Sequence, residues 1–167
     1  MINIVLYEPE IPENTGNIMR TCAATNSRLH LIEPLGFILD EKRIKRSGVN
    51  YIVKVDYNTY LDFDDFLSKN SWEFYYFTRY GNKSYSEINF TDTKKNVYLI
   101  FGKESAGIPK ELLHDNLDKC YRIPTSDNVR ALNLSNCVAL VTYEALRQQG
   151  FPGLLFSDPF KGEEQCY

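Results

Sequence analysis

The chain has 167 residues, 43% of them hydrophobic and 25% charged, with a formal net charge of −3 and a sequence pI near 5.5. This composition predicts one soluble globular domain, and no apolar run approaches the roughly 20 residues that a membrane-spanning helix needs. The acidic balance argues against a non-specific nucleic-acid coat, but it leaves room for a site-specific RNA enzyme with one basic face.

The N-terminus and the cysteines predict a protein of the reduced cytoplasm. Residues 1–16 lack the basic segment of a signal peptide and read as the first strand of the fold. The cysteines include no C-x-x-C pair, so neither a disulfide framework nor a zinc site is expected. The four are Cys22, Cys120, Cys137 and Cys166.

Short apolar runs alternate with helical patterns along the chain. The first strand is predicted at residues 2–7, and a helix follows over 14–25 with Asn14 or Thr15 as its N-cap. Further strands are predicted at 29–32, 51–55, 74–77, 97–101 and 120–123, and further helices at 60–68, 110–113 and 135–149. The 60–68 helix is expected to pack Leu61, Phe63, Phe66 and Leu67. This alternation predicts an α/β fold with a mainly parallel sheet flanked by helices, in one domain over 1–155 with a surface tail over 156–167.

Two polar loops in the first two thirds of the chain follow predicted strands, where parallel α/β sheets bind ligands. In the first, Asn14, Asn17 and Arg20 share one helical face beside a helix N-terminus, which favours an anion such as phosphate. In the second, Gly102 and Gly107 allow close approach of a flat ligand, and Glu104 can accept from hydroxyls or pair with Arg20. An ordinary capped helix and a tight turn are the alternatives.

The third polar loop leads into the last helix. Asn128, Arg130, Asn133 and Ser135 surround this junction, where Asn133 or Ser135 can also act as a plain N-cap. The helix itself carries five consecutive apolar residues over 137–141, too many for a surface helix with one face in water. Its second apolar face predicts a subunit interface, with a central core helix of a monomer as the alternative.

The remaining polar candidates carry weaker signals. His30 and His114 are interpreted as structural or exposed, because no paired-histidine metal spacing and no Cys/His nucleophile arrangement occurs. A compact basic cluster follows the second strand and is either a phosphate-contact surface or a solvated face. It consists of Lys42, Arg43, Lys45 and Arg46.

Five segments resemble, in order and over essentially the whole chain, the SPOUT (α/β knot) RNA 2′-O-methyltransferases, and more closely the tRNA (cytidine/uridine-34)-2′-O-methyltransferase family. They are NIVLYEPEIPENTGNIMRTC, LHLIEPLGF, KRIKRSGVNY, FGKESAGIP and RIPTSDNVRALNLSNCVALVTYEALRQ. The resemblance implies S-adenosylmethionine-dependent methyl transfer to the ribose 2′-hydroxyl of the tRNA wobble nucleotide, in the anticodon loop. It also implies a deep C-terminal trefoil knot, a homodimer through residues 135–149, and no metal or membrane.

The same resemblance implies the roles of the site residues. Catalysis falls to Arg20, Asn14, Glu104, Asn133 and Ser135. Cofactor binding falls to Phe77, Thr78, Gly102, Gly107, Ile123, Ala131 and Leu132, and RNA binding to Lys42, Arg43, Lys45, Arg46 and Arg130. Because a guanidinium has a pKa above about 12, whether Arg20 acts as a base or as a phosphate anchor stays open, as does whether it serves the other subunit's site. The alternatives are another tRNA or rRNA position, or a non-catalytic RNA-binding knot protein.

Overall fold

The computed structural model describes residues 1–39 and 55–157. Its strands are β1 (Ile2–Tyr7), β2 (Arg28–Ile32), β3 (Tyr57–Tyr60), β4 (Glu73–Phe77), β5 (Lys83–Ser84), β6 (Val97–Phe101) and β7 (Cys120–Arg122). Its α-helices are α1 (Pro12–Thr25), α2 (Phe63–Lys69), α3 (Lys110–His114) and α4 (Leu134–Gln148). The strands form one seven-stranded sheet in the order β3-β2-β1-β6-β4-β7-β5, and every pairing between them is parallel. The predicted α/β class is therefore confirmed.

The two central strands are buried along almost their whole length. Every residue of β6 and all but the last residue of β1 are buried, as expected for parallel strands covered on both faces. Alternate side chains enter two separate cores. On one face, Ile4 packs with residues of α1 and α4, whereas on the other Val5 packs with residues of α2 and α3. The molecule is thus a sheet between two layers of helices, and no helix of residues 1–39 and 55–157 is long and apolar enough to cross a membrane.

The start of the first helix differs from the prediction. The helix begins at Pro12, whose missing N–H is harmless in a first turn, and its N-cap is Ile11 without a side-chain cap bond. Asn14 and Thr15 are therefore not caps but buried residues inside the helix. Because Asn14 is not the cap, its side chain is available for hydrogen bonds to two other loops.

The helix predicted at 60–68 also begins later than expected. Tyr60 ends β3, and Asp62 caps α2 by accepting a hydrogen bond from the backbone N–H of Asp65 at 2.7 Å. This register turns Phe63 and Phe66 inward but leaves Leu61 77% and Leu67 39% exposed, so the packing predicted for those leucines is wrong. Strands β3 and β5 were not predicted, and the strand predicted at 51–55 lies almost entirely outside the described residues.

The C-terminal part of the sheet has an unusual order. Strand β7 lies between β4 and β5, which follow each other in the chain. The connection 78–82 therefore crosses the end of β7, and a Cβ at Gly81 would lie 2.6 Å from the backbone carbon of Tyr121. Only glycine permits this close crossing. The arrangement is consistent with the trefoil knot, which stays a prediction.

A histidine lies inside the core between β1, β2 and β3. His30 is 1% exposed, with Nδ1 2.8 Å from the Tyr60 hydroxyl and Nε2 3.1 Å from the Asn3 amide oxygen. Burial, aided by the charge of Arg28, lowers the pKa of His30 to about 4. The interpretation of His30 as structural agrees with this environment.

We expect His30 to make the stability pH-dependent. The free energy of unfolding should fall by up to about 3 kcal/mol between pH 6.5 and about pH 4, because the unfolded histidine binds a proton in this range and the folded one does not. Urea denaturation of wild type and His30→Gln at several pH values measures the difference. His114→Gln, at a side chain 83% exposed, is the control and should keep the wild-type profile. Identical profiles for wild type and His30→Gln would contradict the assignment.

Candidate functional site

A cleft of about 590 Å³ opens at the carboxyl ends of β4, β6 and β7, and its volume is typical of a small-molecule site. Three connections form its walls: the turn after β4, the loop after β6, and the long loop between β7 and α4. The main lining residues are Phe77, Thr78, Arg79, Tyr80, Gly102, Lys103, Glu104, Gly107, Arg122, Ile123, Thr125, Arg130, Ala131, Leu132, Asn133 and Cys137. This edge is where the sequence predicted a ligand.

Aromatic rings and bare backbone form the floor of the cleft. Phe77 and Phe101 stack with their ring centroids 4.9 Å apart. A Cβ at Gly102 would lie 2.1 Å from the carbonyl carbon of Gly107, so no other residue fits there without opening the loop. Gly107 has φ +77°, which glycine adopts without strain, and its N–H donates to the Lys103 carbonyl at 2.8 Å. The loop after β6 therefore presents a tight, backbone-rich surface.

Glu104 connects this loop to the start of α1. One carboxylate oxygen accepts from the backbone N–H of Glu10 at 2.9 Å, and the other accepts from the Ile11 N–H at 3.3 Å and from the Asn14 amide at 2.9 Å. The anion expected beside this helix N-terminus is thus supplied by the protein itself. A phosphate is not needed to satisfy these donors.

Asn14 extends the same network to the last helix. Its amide oxygen accepts from the Asn133 amide at 2.9 Å. Asn133 is the N-cap of α4, and its oxygen accepts from the Ser135 N–H at 2.9 Å and from the Ser135 hydroxyl at 2.6 Å. Four polar side chains from three segments therefore form one continuous chain of hydrogen bonds along the cleft.

Two further carboxylates reinforce the junction between the β1 and β6 loops. Glu8 pairs with the Lys103 ammonium at 2.7 Å. The Glu10 carboxylate accepts from both the backbone N–H and the hydroxyl of Ser105, and these bonds hold its pKa below the usual range. Contacts in both directions therefore join the two loops, since Glu8 and Glu10 bind Lys103 and Ser105 while Glu104 binds the Glu10 N–H. These contacts preorganise one wall of the cleft.

The structure brings most of the predicted site residues together. All seven residues expected at the cofactor line the cleft, as do Asn14, Glu104, Asn133 and Arg130. Ser135 is one hydrogen bond away through Asn133. Arg20 lies exposed on α1, six positions after Asn14, and is not among the lining residues. The predicted RNA-contact residues Lys42, Arg43, Lys45 and Arg46 lie outside the described residues.

Several cations of the cleft and two of its aromatic residues, Tyr80 and Phe101, were missed by sequence reasoning. Arg79, Lys103 and Arg122 line it, whereas Glu104 is the one acidic lining residue among those that the structure describes. Arg79 and Tyr80 come shortly after the strand predicted at 74–77, and Arg122 lies within the one predicted at 120–123, so position at strand ends was the available signal. Excess positive charge at the cleft favours an anionic ligand.

The cleft contains a buried hydroxyl group without a hydrogen-bond partner in the described part of the chain. The Thr125 hydroxyl is buried and has no hydrogen-bond partner among the described residues. A bound molecule with a polar group can satisfy it. No cluster of three histidine, cysteine, aspartate or glutamate side chains suited to a metal occurs in residues 1–39 and 55–157.

The chain resembles known RNA-modifying proteins over nearly its whole length. The family model described as "SpoU rRNA Methylase family" matches residues 1–143. A Geobacillus stearothermophilus protein is 53% identical over 92% of this chain and 98% of its own length. The Escherichia coli K12 protein named "tRNA (cytidine(34)-2'-O)-methyltransferase" is 44% identical over 95% of this chain and 100% of its own.

Solved structures share the fold. One described as "Structural insights into the 2-OH methylation of C/U34 on tRNA" has a TM-score of 0.82 at 39% identity, covering 90% of this chain and 97% of its own. The SpoU methyltransferase AviRb from Streptomyces viridochromogenes, solved in complex with AdoMet, has a TM-score of 0.74 at 19% identity. That match covers 88% of this chain and 57% of AviRb, and it supports the fold alone.

Proposed function

The chain belongs to the SpoU rRNA methylase family, and on this premise we propose that it is a tRNA (cytidine(34)-2′-O)-methyltransferase that uses S-adenosylmethionine. The proposal covers cytidine or modified uridine at the wobble position of the anticodon loop. The observation that carries it is the cleft at the carboxyl edge of the sheet, with its polar chain from Glu104 to Ser135. The full-length similarity to the Escherichia coli protein supports the same substrate.

The cleft fits the proposed cofactor. Its volume suits a molecule of this size, Gly102 and Gly107 allow close approach of an adenosyl group, and Phe77 and Phe101 provide an apolar floor. The unpartnered Thr125 hydroxyl offers a hydrogen bond to a polar ligand atom. When bound, S-adenosylmethionine supplies an electrophilic methyl group, and this chemistry needs no metal.

The chain's own residues would orient the acceptor ribose. Asn133 and Ser135 are held at the start of α4 by bonds that run through Asn14 to Glu104. Such preorganisation accelerates a transfer by fixing the reacting groups at short distance. We assign Arg20 to the binding of substrate phosphate and to orientation of the 2′-hydroxyl, because a guanidinium is a poor base. Arg130 and the cluster at Lys42, Arg43, Lys45 and Arg46 are proposed RNA contacts.

We also propose a homodimer through the last helix. Val138, Val141 and Ala145 of α4 are buried within the chain's own core. Away from this core, Ala139 and Leu140 stay partly exposed and Tyr143 is 44% exposed, at helical spacing. Leu140 also packs in part against the core. An apolar stripe of this kind is typical of a subunit interface. In such a dimer Arg20 of one subunit can serve the cleft of the other.

We expect Leu140→Glu to convert the dimer to a monomer, because a carboxylate would lose its hydration in the proposed interface. Light scattering at matched concentrations measures the mass, and circular dichroism checks the fold. Leu61→Glu is the control, since Leu61 is exposed elsewhere and should leave the mass unchanged. A dimeric Leu140→Glu protein would rule out this interface. Val141 is unsuitable for the test, because it is fully buried in the core.

The wobble assignment is tested by nucleoside mass spectrometry. Purified protein, S-adenosylmethionine and unmodified tRNA are combined, and the 2′-O-methylated nucleotide is mapped after nuclease digestion. Methylation at position 34 is expected. Methylation found only at another tRNA position or in rRNA would contradict the wobble assignment and indicate a different methyltransferase substrate. Binding of RNA without any methyl transfer would indicate a non-catalytic protein. A single domain over 1–155 and a cytoplasmic location accompany the proposal.

A further inference from the structure

An exposed aromatic ring stands at the wall of the cleft. Tyr80 is 48% exposed although it lines the cavity, so burial in the core does not explain its position. It follows β4 in the turn that crosses β7. The Tyr80 N–H donates to the Thr78 hydroxyl at 3.3 Å, and the Gly81 N–H donates to the Thr78 carbonyl at 3.2 Å. With Gly81 against the Tyr121 backbone, the turn presents the ring from a well-supported position.

Cations surround this ring. The Arg79 guanidinium lies 4.8 Å from the ring centroid and donates to the Tyr80 hydroxyl at 2.7 Å. The Lys110 ammonium lies 5.4 Å from the same centroid. Arg122 and Arg130 line the same cleft. Within the described ranges, none of these four cations forms an ion pair with a carboxylate, which is notable in a chain of net charge −3.

The positive region continues beyond the cleft. A second hollow of about 470 Å³ shares Arg122 and Thr125 with it and contains Lys83. Its acidic residue, Glu87, accepts a hydrogen bond from the Ser84 N–H as part of a capping box. A track of cations with one exposed ring therefore runs from the cleft across the β5 edge of the sheet. An extended polyanion has room to follow it.

The chemistry of this cluster fits a nucleotide better than it fits the methyl donor. S-adenosylmethionine carries no phosphate and has a net charge of about +1, because its sulfonium and ammonium outweigh its single carboxylate, so a group of several cations exceeds what this ligand needs. Single-stranded RNA offers both a base that stacks on an aromatic or guanidinium plane and a phosphate that pairs with arginine or lysine. We propose that Tyr80, flanked by Arg79 and Lys110, stacks on an unpaired nucleobase next to the nucleotide that is methylated. This inference rests on the proposed function and extends it to a specific RNA contact.

The test compares RNA binding with cofactor binding in matched variants. The probe is a synthetic anticodon stem-loop RNA, with affinity measured by fluorescence anisotropy, and S-adenosylmethionine affinity measured by calorimetry. Tyr80→Ala should weaken RNA binding roughly tenfold, the usual loss for one base–aromatic stack. Tyr80→Ala should leave the affinity for S-adenosylmethionine unchanged, and Tyr80→Phe, which keeps the ring, should bind RNA as wild type does. Trp72→Ala is the control, and this variant should bind RNA as wild type does. Trp72 is exposed and lies just before β4, at the amino ends of the strands and so opposite the cleft.

A second measurement identifies the base. Stem-loops with one abasic nucleotide on either side of position 34 are bound to wild type and to Tyr80→Ala. The abasic site that removes the stacked base should weaken the wild type but not the variant. Equal RNA affinity of Tyr80→Ala and wild type would overturn the inference while leaving the methyltransferase proposal intact. A selective loss of cofactor affinity would assign Tyr80 to the donor pocket instead, and a wild type that binds no RNA would overturn both proposals.

Discussion

Arg20→Ala is expected to lower the rate of methyl transfer about 100- to 1,000-fold, the usual cost of removing one positioned hydrogen-bond donor from a reaction site. Arg20 lies exposed on α1 and outside the cleft lining, so donor affinity and dimer mass should stay as in wild type. Transfer is measured with radiolabelled S-adenosylmethionine under single-turnover conditions. This separates the chemical step from RNA release.

Matched variants sharpen the Arg20 test. Arg28→Ala removes an arginine at the other edge of the sheet, where it pairs with Asp56, and should transfer methyl groups at the wild-type rate. Arg20→Lys keeps a positive charge but loses the planar fork, and it should recover part of the rate if Arg20 anchors a phosphate. Full activity of Arg20→Ala would rule out the catalytic assignment. Loss of the dimer in this variant would make its role structural.

The second large effect is expected at Glu104. Glu104→Ala leaves the N–H groups of Glu10 and Ile11 and the amide of Asn14 without their acceptor. We expect the free energy of unfolding to fall by about 1–3 kcal/mol, as for other donors left unsatisfied. Methyl transfer should fall about 100-fold, because Asn133 and Ser135 would lose their support through Asn14.

Glu104→Gln distinguishes charge from shape at this position. Its oxygen can still accept one or two of the bonds, but its NH₂ group would face a backbone donor, so stability and rate should lie between those of Glu104→Ala and wild type. Glu33→Ala, at an exposed carboxylate, is the control and should behave as wild type in denaturation and transfer assays. Unchanged stability and rate in Glu104→Ala would show that the hydrogen-bond chain does not support the site.

The sequence predicted much of the sheet because burial leaves a local pattern. The strands at 2–7 and 97–101 match β1 and β6, which are mostly apolar because both faces are covered, with Asn3 as the buried polar exception in β1. Elements with mixed patterns were placed less well. Tyr60 ends strand β3, but the sequence pattern places it in a helix. The N-cap signal of Asp62 is weak beside the apolar residues on both sides of it, so the pattern extends the helix too far toward the N-terminus.

The candidate site was predicted in its parts but not in its connections. The polar loops after strands identified Asn14, Glu104 and Asn133, and the structure brings all three to one cleft. The sequence did not indicate that Glu104 accepts from the start of α1, or that Asn14 links it to Asn133. Arg79 and Tyr80 were missed because a Thr-Arg-Tyr-Gly turn has no distinctive spacing.

Periodicity and turn residues in the sequence alone determined the class of fold, the edge of the sheet at which the cleft lies, and the second apolar face of the last helix. The tertiary structure decided the insertion of β7 between β4 and β5, the hydrogen bonds from Glu104 to Asn14 and from Asn14 to Asn133, and the group of cations around Tyr80. The physical reason is separation along the chain. Local patterns record whether a residue is buried, whereas bonds between residues 90 and 119 positions apart depend on how the whole chain packs.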